Sequence, residues 1–271
     1  MGSVAGKVAF ITGVARGQGR AHAVRLASEG ADIIGLDICA DLESMDYPNA
    51  TLDDLTETKR LVEATGRRMI ARQADVRYYD QVEAVFEEGV AEFGRIDIVL
   101  ANAGVIRLAS EANPQLEWDE ILSTNLTGVW NACRVTIPKM IECGNGGSIV
   151  MTSSTAGIKA PATMLAGGQA YSASKHGMIG LMRTWARELA QYSIRVNTIH
   201  PTGVLTGMTQ NETMAAMFAD PTAMTATMQN ALPVQILEAT DIADFVEFLV
   251  SERGRYITGQ TLGVDAGFLV N

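Results

Sequence analysis

The chain has 271 residues, 47% of them hydrophobic and 19% charged, and a formal net charge of −10. That length suits one large α/β domain or two small ones with a sizeable core, and the acidic balance argues against nucleic-acid binding as its task. No apolar run reaches membrane-spanning length, residues 1–7 lack a signal-peptide core, and Cys39, Cys133 and Cys143 show no metal-ligand spacing, which together fit a reducing cytoplasm.

In chain order, the apolar run 8–12 predicts a buried parallel strand. It enters the turn Thr12-Gly13-Val14-Ala15-Arg16-Gly17-Gln18-Gly19, and a helix follows with Ala23, Leu26 and Ala27 on one face and Gly30 as its stop. A strand, glycine turn and helix in this order aim backbone amides at a pyrophosphate, and the glycines let the ligand approach the chain. The spacing of Gly13, Gly17 and Gly19 is G-x-x-x-G-x-G. Residues 32–37 form the second strand. Asp37, 18 residues after Gly19, stands where an acid accepts the adenosine ribose hydroxyls and repels a 2′-phosphate, which favours NAD over NADP. Arg16 pulls the other way, since a cation there could steady that phosphate. The stretch 39–54 is long for a strand-to-helix connection and reads either as a surface insertion or as a flap over the cofactor.

A helix is expected over 54–65 and a strand over 68–73, with Asp75 and Val76 at the sheet's carboxyl edge, where an adenine amino group could be met. A helix over 80–93 and a strand over 96–100 lead to Asn102-Ala103-Gly104, where small residues let the cofactor lie close and the Asn amide can tie neighbouring strands. A helical region over 117–143 carries Pro138 as an expected kink and Asn125 among apolar neighbours, where it must be hydrogen-bonded. The strand 147–152 ends at Ser153-Ser154, and hydroxyls at a strand's carboxyl end suit ligand chemistry. The strand 195–200 runs into Pro201-Thr202-Gly203-Val204-Leu205-Thr206. Then comes a methionine-rich stretch with Met208, Met214, Met217, Met224 and Met228, read either as core packing or as a mobile apolar lid over about 205–232. A helix over 241–250 and a strand over 261–264 close the chain. His22, His176 and His200 have no ligand spacing, so no catalytic metal is expected.

Tyr171 and Lys175 are four residues apart and share a helix face. A free phenol has a pKa of about 10, too high for proton exchange at neutral pH. An ammonium ~4 Å away would favour the phenolate by roughly 4 kcal/mol at an effective dielectric of about 20, or about three pKa units. Alone, the pair is more readily an ordinary tyrosine on a helix with a solvated lysine one turn on.

The ordered set Gly13/Gly17/Gly19, Asn102-Ala103-Gly104, Asn125, Ser154 and Tyr171-x-x-x-Lys175 resembles the short-chain dehydrogenase/reductase family over residues 7–268. The resemblance implies a single Rossmann-like domain over 1–271, a doubly wound parallel sheet with helices on both faces, acting as an NAD-dependent oxidoreductase. It implies Tyr171 as general acid/base, Lys175 as the residue that lowers its pKa and holds the nicotinamide ribose, Ser154 as the orienter of the substrate oxygen, and Asn125 as the holder of a relay water. Pro201, Val204 and Thr206 fall at the cofactor by the same likeness, although Thr202 departs from the family's usual Pro-Gly. Residues 12–22, Asp37-Ile38-Cys39 with the insertion, and Ile199-His200-Pro201-Thr202 resemble the mycofactocin-coupled, carveol dehydrogenase-like branch. That branch implies buried NAD reoxidised by mycofactocin, a hydrophobic secondary alcohol or its ketone, with cyclic and terpenoid alcohols in range, and a cytoplasmic homotetramer without nucleic-acid or membrane partners. A conventional reductase of steroids or acyl thioesters with exchanging NADH, or a non-catalytic NAD-sensing module, would share much of the pattern.

Overall fold

Parallel strands covered on both faces need apolar side chains pointing both ways. In the computed structural model, which describes residues 2–107, 112–212, 215 and 229–271, the strands meet that need by alternation. Seven strands form one all-parallel sheet: β1 (Val8–Thr12), β2 (Asp32–Asp37), β3 (Met69–Gln73), β4 (Ile98–Ala101), β5 (Gly147–Thr152), β6 (Ile194–Pro201) and β7 (Thr261–Val264). Their order is β3-β2-β1-β4-β5-β6-β7. Val8 and Phe10 of β1 enter one apolar cluster and Ala9 and Ile11 the other; Val99 and Ala101 of β4 part from Ile98 and Leu100 in the same way.

Seven α-helices cover the two faces among the described residues: α1 (Gly17–Ser28), α2 (Leu52–Glu63), α3 (Tyr79–Phe93), α4 (Pro114–Leu122), α5 (Gly128–Cys143), α6 (Ala166–Leu189) and α7 (Ala239–Val250). Val82 and Phe86 of α3, Ala132 and Cys133 of α5, and Met178 and Met182 of α6 pack on one side. Leu26 of α1, Val62 of α2 and Val246 of α7 pack on the other. This is a Rossmann-like doubly wound sheet. Strand order reverses at β1, between β2 and β4, and the crevice at the carboxyl ends of those strands is where such sheets bind ligands.

Two of the departures from expectation have clear local reasons. Helix α2 starts at Leu52, because Thr51 accepts the Asp54 N–H at 3.2 Å while the Asp54 carboxylate accepts the Thr51 N–H at 2.9 Å. The connection after β2 is therefore 38–51. The second concerns Pro138, which does not interrupt its helix: α5 runs through it to Cys143, and the proline sits on the exposed face, where water can satisfy the carbonyl it leaves free. The irregularity lies instead at Ser123–Thr127, a π-helical turn joining α4 to α5 around the fully buried Asn125. Of the methionines assigned to a lid, Met208 is described; Met214, Met217, Met224 and Met228 lie outside the described residues. No described helix is long and apolar enough to cross a membrane.

Candidate active site

The glycine turn is built for a backbone approached from outside. Gly13 and Gly17 have φ of +67° and +55°, and a methyl on Gly13 would stand 2.8 Å from Ala103 Cα. A methyl on Gly19 would overlap the Gly13 carbonyl oxygen. Asn102 ties this turn to its neighbours: its Nδ2 donates to the carbonyls of Thr12 (3.2 Å) and Gly13 (3.3 Å), and its Oδ1 accepts from Thr152 Oγ1 at 3.2 Å. The resulting cleft is lined by Gly13, Arg16, Gly17, Gln18, Gly19, Asp37, Asp75, Val76, Asn102, Ala103, Gly104 and Thr206, all named from the sequence. Two side-chain oxygens on its wall, Gln18 Oε1 and Thr124 Oγ1, are buried with no hydrogen-bond partner. Orphaned polar atoms facing a glycine-lined cleft at a helix N-terminus fit a dinucleotide.

Asp37 ends β2 at this cleft. Burial pushes its carboxyl upward, opposed by N–H groups of Ala15 (2.9 Å) and Cys39 (3.3 Å) and by the Arg16 charge. Asp75 is at the expected edge, but Arg77 already binds its carboxylate at 2.6 Å. Arg16 reaches across to the 38–51 connection, donating to the Pro48 carbonyl at 2.6 Å, and its guanidinium lies against the Gly207 backbone.

The connection itself is folded over the cleft. Leu42, Tyr47, Asn49 and Ala50 line it and are buried. On the far side Ser44 donates from N and Oγ to Glu120 (3.0 and 2.5 Å), Arg107 Nη1 donates to Ser44 O at 2.8 Å, and the Ile106 N–H donates to Tyr47 Oη at 3.1 Å. None of these long-range partners is visible in the sequence. The one signal was Tyr47, the single aromatic residue in 38–51. Thr124 was missed although it adjoins Asn125.

Beyond the cleft's lining residues, where Lys175 lies against Gly104, Ser154 follows β5 and is close enough to the Tyr171 hydroxyl to pull its pKa down. Ser153 points away, donating to the Lys175 carbonyl at 2.9 Å. Lys175 Nζ is 5.4 Å from the Tyr171 ring centroid and donates to Thr152 O at 2.8 Å. Asn125 accepts the Val105 N–H and donates to the Val105 carbonyl, both at 2.8 Å, so it pins the loop after β4 beside Lys175.

The direction of the Tyr171 shift corrects the expectation from spacing. Desolvation pushes the phenol up, although Tyr171 is only partly buried, with Ser154 pulling against it. The same desolvation draws Lys175 down to about 7. A lysine driven towards neutrality offers little charge to hold a phenolate, so desolvation wins over attraction.

Pro201 and Val204 do not line the cleft. Pro201 is the last residue of β6, paired with Val264, and Val204 is buried in a bridge to Leu237. His200 is satisfied within the fold, 2.7 Å from the Ser154 carbonyl and 2.9 Å from Thr198 Oγ1. No group of three His, Cys, Asp or Glu placed to hold a metal occurs among the described residues.

The family profile described as short chain dehydrogenase matches residues 7–216. The chain is 45% identical to a (-)-trans-carveol dehydrogenase of Rhodococcus erythropolis over 98% of its own length and 99% of that protein. Its fold superposes on the crystal structure of a carveol dehydrogenase from Mycobacterium avium in complex with NAD, with a TM-score of 0.92, 44% identity and full coverage of both chains. A short chain dehydrogenase from Mycobacterium paratuberculosis bound to NAD gives a TM-score of 0.90 at 43% identity, again with full coverage of both. With a glycine turn, a Ser–Tyr–Lys cluster at the carboxyl edge and this likeness along its whole length, the chain belongs to the short-chain dehydrogenase family.

Proposed function

We propose that this protein is an NAD-dependent dehydrogenase that interconverts a hydrophobic secondary alcohol and its ketone. The observation that carries the reading is Ser154 and Lys175 set close to the Tyr171 phenol, with Lys175 also against the Gly104 wall of the glycine-lined cleft. Bound NAD supplies the hydride acceptor or donor. The chain supplies the proton: Tyr171 takes it from the alcohol oxygen during oxidation and returns it to the ketone oxygen during reduction, while Ser154 holds that oxygen in line. Lys175, near 3.4 Å from any methyl placed on Gly104, is within reach of the cofactor wall and tunes the phenol through its own protonation. Asn125 keeps the Gly104-Val105 wall in register.

The 38–51 connection, closed over the cleft, supports retention of NAD and reoxidation by an external carrier such as mycofactocin. A carveol-like cyclic or terpenoid alcohol is the substrate class that the relatives favour. Trp118 on α4 and Trp130 on α5 are 36% and 41% exposed, apolar surface that suits assembly with further copies into a homotetramer in the cytoplasm.

The test is NADH formed per subunit, by absorbance, on adding a cyclic secondary alcohol with excess NAD. A halt near one NADH per subunit, relieved by an artificial electron acceptor, is expected; many unassisted turnovers would refute retention. Tyr171→Phe should lower the rate by about 10²–10⁴-fold while still binding NAD. An unchanged rate would remove Tyr171 from the chemistry.

A further inference from the structure

The residues that 38–51 places on the cleft wall are mostly accounted for by the fold. Leu42 packs with Val105 and Ile121. Asn49 is held through its N–H to Asp41 at 2.7 Å and through Nδ2 to the Ala40 carbonyl at 3.0 Å. Tyr47 is different. It is 8% exposed, and its hydroxyl oxygen accepts the Ile106 N–H at 3.1 Å, but its own proton meets no acceptor among the described residues. A buried donor without an acceptor is costly to keep, and the bond accepted from Ile106 leaves that proton unused.

The position of the phenol indicates what the acceptor is. Tyr47 senses the charge of Arg16, at the glycine turn, and also the Tyr171 phenol, at the reacting end. The next residue, Pro48, accepts from Arg16 at 2.6 Å, and the Tyr47 hydroxyl meets Ile106 in the loop that Asn125 holds beside Lys175, so the side chain spans the two ends. Burial holds it protonated, with its pKa pushed up to about 12, so at neutral pH it is a donor. A dinucleotide that starts at Asp37 and ends at Tyr171 runs its pyrophosphate and second ribose through this gap, and both present oxygen acceptors.

We propose that Tyr47 is a cofactor ligand supplied by the insertion, its hydroxyl donating to an oxygen of the pyrophosphate–nicotinamide ribose segment of NAD. This rests on the cleft being an NAD site. It gives the closed connection a direct bond to its cargo, beside the Arg16–Pro48 bond and the Ser44 bonds to Arg107 and Glu120. Lifting the connection off bound cofactor then requires that bond to break.

The test is Tyr47→Phe in the full-length protein, titrated with AMP, ADP-ribose and NAD. One hydrogen bond to a charged or strongly accepting oxygen predicts that affinity for ADP-ribose and NAD falls by about ten- to a hundred-fold. AMP, which lacks the segment, should bind as it does to the wild type, and the thermal midpoint without ligand should fall by no more than a few degrees, the loss of the acceptor for Ile106 N–H. Unchanged binding of ADP-ribose overturns the proposal. So does an equal loss for all three ligands, because the hydroxyl would then serve only the fold. A wild-type chain that binds neither NAD nor ADP-ribose refutes the NAD reading itself, a result distinct from wild-type binding that Tyr47→Phe leaves untouched.

Discussion

Lys175→Met should make the cofactor-free protein more stable at neutral pH while ending its catalysis. Lys175 is 3% exposed and burial lowers its pKa from 10.5 to about 7. The unfolded chain keeps the ordinary value, so between pH 7 and 10.5 the unfolded state binds more protons and stability rises with pH. A depression of about 3.5 units at ~1.36 kcal/mol each is about 5 kcal/mol, felt in full below pH 7 and relieved as pH climbs towards 10.5. Methionine has a similar shape and removes that cost, but it leaves the Thr152 carbonyl without the donor it has at 2.8 Å, a loss of roughly 1–3 kcal/mol. The net gain at or below pH 7 is roughly 2–4 kcal/mol, on the order of 5–10 °C in Tm for a chain of this size. The sign should invert near pH 10, where only the lost hydrogen bond remains. Thermal melts of both proteins from pH 6 to 10 read this directly. A variant that melts below the wild type at pH 7, or a gap that stays constant with pH, would refute the burial argument.

Two further substitutions separate neighbouring roles. Ser153→Ala should cost about 1 kcal/mol of stability, the worth of its bond to the Lys175 carbonyl, and leave the rate within a few-fold, whereas Ser154→Ala should cut kcat by at least about 10²-fold; steady-state kinetics beside melts of both variants distinguish them. Gly19→Ala drives a methyl into the Gly13 carbonyl, so it should abolish NAD binding in a calorimetric titration or prevent soluble expression, while Gly180→Ala on α6, with nothing within 4 Å of an added methyl, should do neither.

The sheet was legible because a doubly covered parallel strand is a largely apolar run with sharp ends; 8–12 and 32–37, buried throughout, match β1 and β2 to the residue. The irregular turn was not. Pro138 carries a strong local signal for a break, yet on an exposed face it needs no compensation, while the actual irregularity at Ser123–Thr127 serves Asn125, whose partners Val105 and Ser174 lie 20 and 49 residues away. Arg16 was ambiguous for the same reason. Its residue type suits a phosphate, but its observed partner is a main-chain carbonyl at Pro48, and carbonyls leave no mark on a sequence.

That same limit explains the reversed proton affinity at Tyr171. Spacing along a helix reports how near Lys175 is, whereas the outcome depends on how much water surrounds the pair. Ile38 and Met45 from the connection pack with Leu122 and Tyr171 in one small apolar cluster around Leu42, Val105, Ile121 and Ala170. The segment that closes the cleft is therefore part of what desolvates the phenol. Desolvation raises the phenol and lowers the amine together, leaving both closer to neutral at pH 7 than the isolated side chains would be. A phenol in that state is poised to give a proton to a ketone oxygen, and accepting one from an alcohol needs a positive charge brought close to it. Oxidised nicotinamide would bring such a charge and the reduced form would not, so the cluster packed against the partly buried Tyr171 would tie its proton affinity to the redox state of a bound cofactor.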